Sequence, residues 1–262
     1  MTIIKRLQYA AFIGMIVTAA ASHAADPHWT YDEQADWGTL ENTDPTAPIP
    51  ALYPFAECGL GQKQSPVDIN VPAAKASLNH LNPLYASVPL SVSNNGHTIK
   101  VNMPITANPN ALLIGKENYQ LLQFHFHAPS EHTLNGKTFP LELHFVHSTP
   151  SGKLAVLGVM IKAGAENPEF QKILDNAPSI AGNTNTPVGV TLDPNGLLSP
   201  SRKFYSYAGS LTTPPCTEGV DWSVARAPIT LSSAQIAEFE ALYINNARLP
   251  QALNGRIVDI LP

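Results

Sequence analysis

The chain has 262 residues, of which 13% are charged, with 24 prolines and a formal net charge of −5. Charge at about half its usual share and proline at about twice it describe short extended segments joined by fixed turns, and exclude long solvated helices or a disordered tail. An acidic chain without basic clusters is a poor partner for nucleic acid or anionic lipid.

In chain order, Lys5 and Arg6 precede an uncharged apolar run from Leu7 to about Ala21. Ser22-His23-Ala24 then supplies small residues at the positions a signal peptidase reads. The run is shorter than the roughly twenty unbroken apolar residues of a membrane span, and no later segment can cross a bilayer. We therefore expect residues 1–24 to be a cleaved signal peptide and residues 25–262 to form one folded domain. Cleavage leaves 13 basic against 20 acidic residues, a net charge of −7. The two cysteines, Cys58 and Cys216, would be free thiols in a reducing cell. In an exported chain an isolated pair usually forms a structural disulfide.

Residues 25–57, rich in Pro, Asp and aromatics, predict an irregular arm laid over the body. Short apolar or alternating runs follow at Leu90–Val92, Thr98–Met103, Ala111–Ile114, Leu121–His127, Leu141–His147 and Ala155–Ala163. Turn signals separate them, with Asn94-Asn95-Gly96 and Asn135-Gly136 the strongest. Two helices are expected. One opens at Pro168 under an Asn167 cap and carries Phe170, Ile173 and Leu174 on one face. The other opens at a capping box, Ser232-Ser233-Ala234-Gln235. The fold class is mainly β: a large twisted, mostly antiparallel sheet of about ten strands with short peripheral helices.

The stretch QLLQFHFHAPSEHT, from Gln120 to Thr133, concentrates the chemistry. Side chains alternate along a strand, so His125 and His127 share a face, about 7 Å apart at Cα, while Phe124 and Phe126 take the other. Asn135-Gly136 reverses the chain, and in LELHFVH the residues Glu142 and His144 share one face. If the two runs pair, three imidazoles converge, and three neutral nitrogens with a fourth position open is the pattern of catalytic zinc. Each histidine alone would read as a solvated or hydrogen-bonded strand residue; the HxH pair and the third histidine beside an acid weaken that reading. Metal-bound imidazole needs an acceptor on its other nitrogen, for which Gln123 and Glu142 are candidates. His147 lies on the opposite face from His144 and reads as surface or packing. His132 reads as a buried structural hydrogen bond; His28 and His80 carry no signal.

The blocks HWTY, GQKQSPVDI, NNGHT, QFHFHAPSEHT, LELHFVH, GKLAVLG, SLTTPPC and NGRIVDI follow one another across the chain from His28 onward. In this order they resemble the α-class carbonic anhydrases, specifically their bacterial exported branch. The resemblance implies a periplasmic enzyme with Zn2+ on His125, His127 and His144, hydrating CO2 to bicarbonate through a zinc-bound hydroxide; that family is itself the type case for zinc-activated water. Thr212 would donate its hydroxyl proton to Glu131 and accept from the attacking oxygen. Val146, Val156, Leu211, Val220 and Trp222 would wall the CO2 pocket. His97 would shuttle protons along waters ordered by Tyr31, Asn95 and Thr213. Cys58 and Cys216 match the disulfide of that branch and would brace the Thr212 loop. Sulfonamide and anion inhibitors are expected by the same resemblance. Homodimers occur in that branch, but no stripe of this sequence marks an interface. Lys100 departs from the neutral amide expected at its position.

Two rivals are weaker. HxH followed by Glu131 and Gly136 approximates the first metal motif of a cupin, with iron or manganese. The cupin's later histidine is missing, because the chain has no histidine after His147. A non-catalytic binding domain of the same fold would normally have lost a zinc histidine, and none is missing.

Overall fold

Eleven consecutive residues, Glu117–His127, form the longest strand of a computed structural model that describes residues 26–43, 46, 52–76, 80–104, 108, 110–199 and 201–262. The signal peptide expected over residues 1–24 lies outside the described residues. Ten strands run in sequence across the main sheet: Lys75–Ala76 (β1), Val92–Asn94 (β2), Ile99–Asn102 (β3), Glu117–His127 (β4), Leu141–Ser148 (β5), Leu154–Ala163 (β6), Thr184–Asn185 (β7), Phe204–Ser210 (β8), Glu218–Ala225 (β9) and Asp259–Leu261 (β10). Their spatial order is β7-β2-β3-β4-β5-β6-β9-β8-β10-β1, and three further strands attach beside this path. The neighbours from β7 to β6 are antiparallel, whereas β6–β9 and β10–β1 are parallel. The sheet is therefore mostly antiparallel, as expected, with a few parallel pairs. The expected run at Leu90–Val92 resolves into two short strands, Val88–Pro89 and β2, with the Leu90 N–H donating to Val190 between them.

The two faces of the sheet differ because the sequence alternates. Phe124 and Phe126 of β4, Leu143 and Phe145 of β5 and Leu157 and Val159 of β6 are fully buried on one side. Two helices cover that side, Pro168–Asn176 (α1) and Ser233–Leu242 (α2). Phe126 meets Phe170 of α1 and Phe239 of α2 edge-to-face, at 5.0 and 5.7 Å between centroids. Asn167 caps α1 by accepting from the N–H groups of Glu169 and Phe170, and α2 opens with the Ser232–Gln235 capping box. The opposite face carries the histidines and a smaller apolar cluster that includes Val156, Met160, Val220 and Trp222.

A bulge makes this division work. Val146 pairs with Gln123 but His147 pairs with Leu121, so Leu122 is left over and is 48% exposed. An extra residue inverts the alternation beyond it. Tyr119 and Leu121 therefore face the same core as Phe124 and Phe126, and His125 and His127 are turned to the other side.

The N-terminal arm is irregular, with single 3-10 turns at Tyr31–Glu33 and Trp37–Thr39. Trp37 and Phe55 bury against a disulfide between Cys58 and Cys216. Among the described residues no helix is long and apolar enough to cross a membrane.

Candidate active site

His125 and His127 on β4 and His144 on β5 are brought together because His144 is the direct register partner of His125. One ring nitrogen from each lies within 4.8 Å of the others, a grouping that can hold a metal ion. The remaining nitrogens of His125 and His127 are engaged by the protein. Nδ1 of His125 donates to Gln123 Oε1 at 2.9 Å, and Nδ1 of His127 to the carbonyl of Asn246 at 2.7 Å. Nε2 of His144 lies 2.9 Å from Glu142 Oε1. Nε2 of His127 is buried without a hydrogen-bond partner, although such a nitrogen nearly always has one. Burial lowers the pKa of all three imidazoles, that of His127 to about 4. Neutral rings are the form that binds a cation.

Glu142 is fully buried and collects donors. Its carboxylate accepts from the N–H groups of Glu131 and His132, at 2.9 and 2.8 Å, and lies 2.8 Å from Nδ1 of His132. Burial pushes its pKa up, but His132 and His144 outweigh that and hold it well below the usual carboxylate range. Nε2 of His132 lies 2.6 Å from the Tyr207 hydroxyl. Gly158 on β6 stands opposite His144; a Cβ there would come within 2.9 Å of Glu142 Oε1.

Glu131 follows β4 and is also fully buried. Burial raises its carboxyl to about 7, opposed by His144, by the Thr212 hydroxyl and by the Arg248 N–H, which donates at 2.8 Å. Thr212 is buried in the loop after β8. That loop is closed by Leu211 N–H to Thr217 O, by Cys216 N–H to Thr213 O, and by the disulfide. Val156, Val220 and Trp222 are buried together, with Val146 and Leu211 partly buried against them. The Trp222 ring meets that of His144 at 4.8 Å.

A cavity of about 200 Å³ opens over the cluster, lined by His125, His127, Gln123 and Lys100. Tyr31, Asn95, His97, Thr213 and Trp29 line it too. Asn95 Oδ1 accepts from the N–H groups of His97 and Thr98, at 2.9 and 2.8 Å. Gly96 between them has φ +88°, a conformation glycine adopts without strain. Burial lowers the pKa of His97, with the charge of His28 adding to it. His147, by contrast, is buried on the core side, 2.7 Å from the Tyr85 hydroxyl.

Some residues of the site were not singled out from the sequence. The Asn246 carbonyl, Arg248 and Gly158 act through backbone or through space, and the sequence offers no local signal for them. Trp29, in the block HWTY, had one only as part of a pattern.

The eukaryotic-type carbonic anhydrase family matches residues 51–260 of this chain. A carbonic anhydrase of Nostoc sp. is 36% identical over 97% of this chain and 96% of its own length. The Photobacterium profundum alpha-carbonic anhydrase superposes with a TM-score of 0.77 at 39% identity, covering 88% of this chain and 100% of that one. The alpha-carbonic anhydrase of Thermovibrio ammonificans, solved with the inhibitor sulfanilamide, gives a TM-score of 0.74 at 42% identity over 80% of this chain and 93% of that one.

Proposed function

The chain belongs to the alpha-class carbonic anhydrase family, and from that premise we propose that it interconverts CO2 and bicarbonate at a zinc ion held by His125, His127 and His144. The observation that carries this reading is the division of labour in the three rings. The outer nitrogens of His125 and His127 are held by Gln123 and the Asn246 carbonyl, Nε2 of His144 lies 2.9 Å from the Glu142 carboxylate without hydrogen-bond geometry, and the inner Nε2 of His127 is buried with nothing to bond. Three neutral nitrogens and no thiolate suit zinc, which when bound acts as a Lewis acid and makes water a nucleophile near neutral pH, a chemistry of which carbonic anhydrases are the standard instance.

The protein's own groups then select and orient. Glu131, ionised, accepts the Thr212 hydroxyl proton, since a carboxylate can only accept. The Thr212 oxygen is thereby committed to accepting from the attacking oxygen, which aims that oxygen's free lone pair at CO2. The Thr212 N–H serves as an oxyanion donor to a CO2 or bicarbonate oxygen. Val146, Val156, Leu211, Val220 and Trp222 offer an apolar wall suited to an apolar substrate. His97 takes the released proton to bulk along waters held by Tyr31, Asn95 and Thr213; an imidazole ordinarily titrates near neutrality, and burial holds this one lower.

Export to the periplasm after loss of residues 1–24 accords with the Cys58–Cys216 disulfide, a bond of oxidising compartments. Sulfonamide binding is proposed on the sulfanilamide complex of the Thermovibrio relative. The test is stopped-flow CO2 hydration with zinc quantified, beside His144→Ala. Fast hydration at one zinc per chain, both lost in the variant, is expected. Zinc without hydration would leave a binding domain, and iron or manganese in its place would remove the reading.

A further inference from the structure

We propose that Lys100 draws small monoanions, bicarbonate among them, into the cavity and strengthens their binding beside His125. The inference rests on the CO2/bicarbonate reading of the site.

Lys100 on β3 is the register partner of His125 on β4. Directly paired residues of antiparallel strands project to the same face, with Cβ atoms about 5 Å apart. Its half-buried side chain lines the cavity, whose other described lining residues are aromatic, amide, hydroxyl or imidazole. Lys100 is therefore the permanent charge on that wall. None of the ion pairs among the described residues includes it.

The surroundings give this cation work. The chain carries a net charge of −5, so its overall field disfavours an approaching anion. A cation set in a narrow cleft focuses the local potential and reverses that sign where the anion must bind. For a half-buried charge lining the same cleft as the anion, largely water-screened Coulomb attraction is worth roughly a three- to tenfold change in affinity. Neutral CO2 gains nothing from it. Lys100 thus biases the cavity toward the anionic partner of the reaction and toward anionic inhibitors.

The test titrates the zinc-loaded protein calorimetrically with thiocyanate, with bicarbonate and with uncharged imidazole at alkaline pH. Lys100→Gln is expected to weaken both anions roughly three- to tenfold and imidazole by less than about twofold. Lys100→Arg keeps the charge and is expected to hold the anions near wild-type affinity. The Gln deficit should shrink as ionic strength rises, because the charge is partly exposed. Equal anion affinities in wild type and Lys100→Gln would overturn the proposal, as would an equal loss of imidazole and thiocyanate. Hydration by the wild type is measured separately. Its absence would sink the parent reading, while the thiocyanate titration would still report on Lys100.

Discussion

The indole of Trp29 and the imidazole of His97 lie stacked, with centroids 3.9 Å apart and planes within 7°. The stack holds the ring at the cavity rim, where a wider groove of about 410 Å³ opens along His28, Asp32 and Tyr243. It also takes water away from the imidazole, and burial is the main reason the His97 pKa is low. Trp29→Ala should therefore raise that pKa toward the ordinary 6.5, measured by NMR titration of the ring protons. A downward or absent shift would mean that Trp29 is not what desolvates it.

His97→Ala tests the shuttle itself. General acid–base groups contribute on the order of 100- to 10,000-fold, and a shuttle at the lower end of that range costs on the order of 100-fold in turnover. We expect kcat in dilute buffer to fall by about that factor while kcat/KM for CO2 changes far less, and added imidazole to restore the loss. A kcat insensitive to both the substitution and imidazole would remove His97 from the proton path.

Gln123 holds His125 through one amide oxygen and is half-exposed, so its loss removes orientation without opening the core. Gln123→Ala is expected to weaken zinc binding by roughly 10- to 100-fold. The metal-free protein should keep its melting temperature, since substitutions outside the core usually move stability by less than about 0.5 kcal/mol. Competition with a chelator reads the first quantity and calorimetry the second. A large drop in apo stability would instead assign Gln123 to the scaffold.

How much of this could be read beforehand depends on where the information resides. The alternation of Phe124 and Phe126 with His125 and His127 is local, so the strand and its two faces were legible. The bulge at Leu122 was not: it is created by pairing with His147, and in the sequence it is only a second leucine. Gln123 and Glu142 precede their histidines by two residues, within reach of strand periodicity. The third support, a carbonyl at Asn246, is 119 positions from His127 and carries no side-chain signature. Parallel β6–β9 pairing was missed for the same reason, because crossover direction is decided by packing across the whole sheet. The bond of Arg248 to the disulfide region is likewise visible only in three dimensions.

That bond links redox state to the site. Arg248 donates through Nη2 to the Cys58 carbonyl at 3.0 Å and through Nη1 to Gln64 Oε1 at 2.9 Å, while Gln64 Nε2 donates to the Cys216 carbonyl at 3.0 Å. The Arg248 N–H meanwhile holds Glu131. The cysteines are 158 positions apart, and closing such a loop restricts the unfolded chain by about 5 kcal/mol at most. Reduction, or the double Cys→Ser variant, should lower Tm by on the order of 10 °C. It should also lower kcat, because the Thr212 loop loses its brace. An unchanged Tm and rate would make the bridge incidental to both.

His147 gives the chain an acid sensitivity separate from metal loss. Its ring is fully buried, stacked on the Tyr85 ring and 2.7 Å from the Tyr85 hydroxyl, and burial lowers its pKa from 6.5 to about 3. Between those values the unfolded chain takes up a proton at His147 that the folded chain refuses. Unfolding is thus favoured by added acid, and stability falls as pH drops from 6.5 toward 3. The shift corresponds to several kcal/mol as an order of magnitude. Substituting the ring should flatten this part of the profile, whatever it costs at neutral pH. His147→Gln, which keeps a polar partner for Tyr85, is therefore expected to show a smaller loss of urea midpoint between pH 6.5 and 4 than the wild type, with both measured metal-free. Parallel profiles for the two proteins would mean that other groups govern acid unfolding, and that the core proton at His147 is taken up only after the fold has opened.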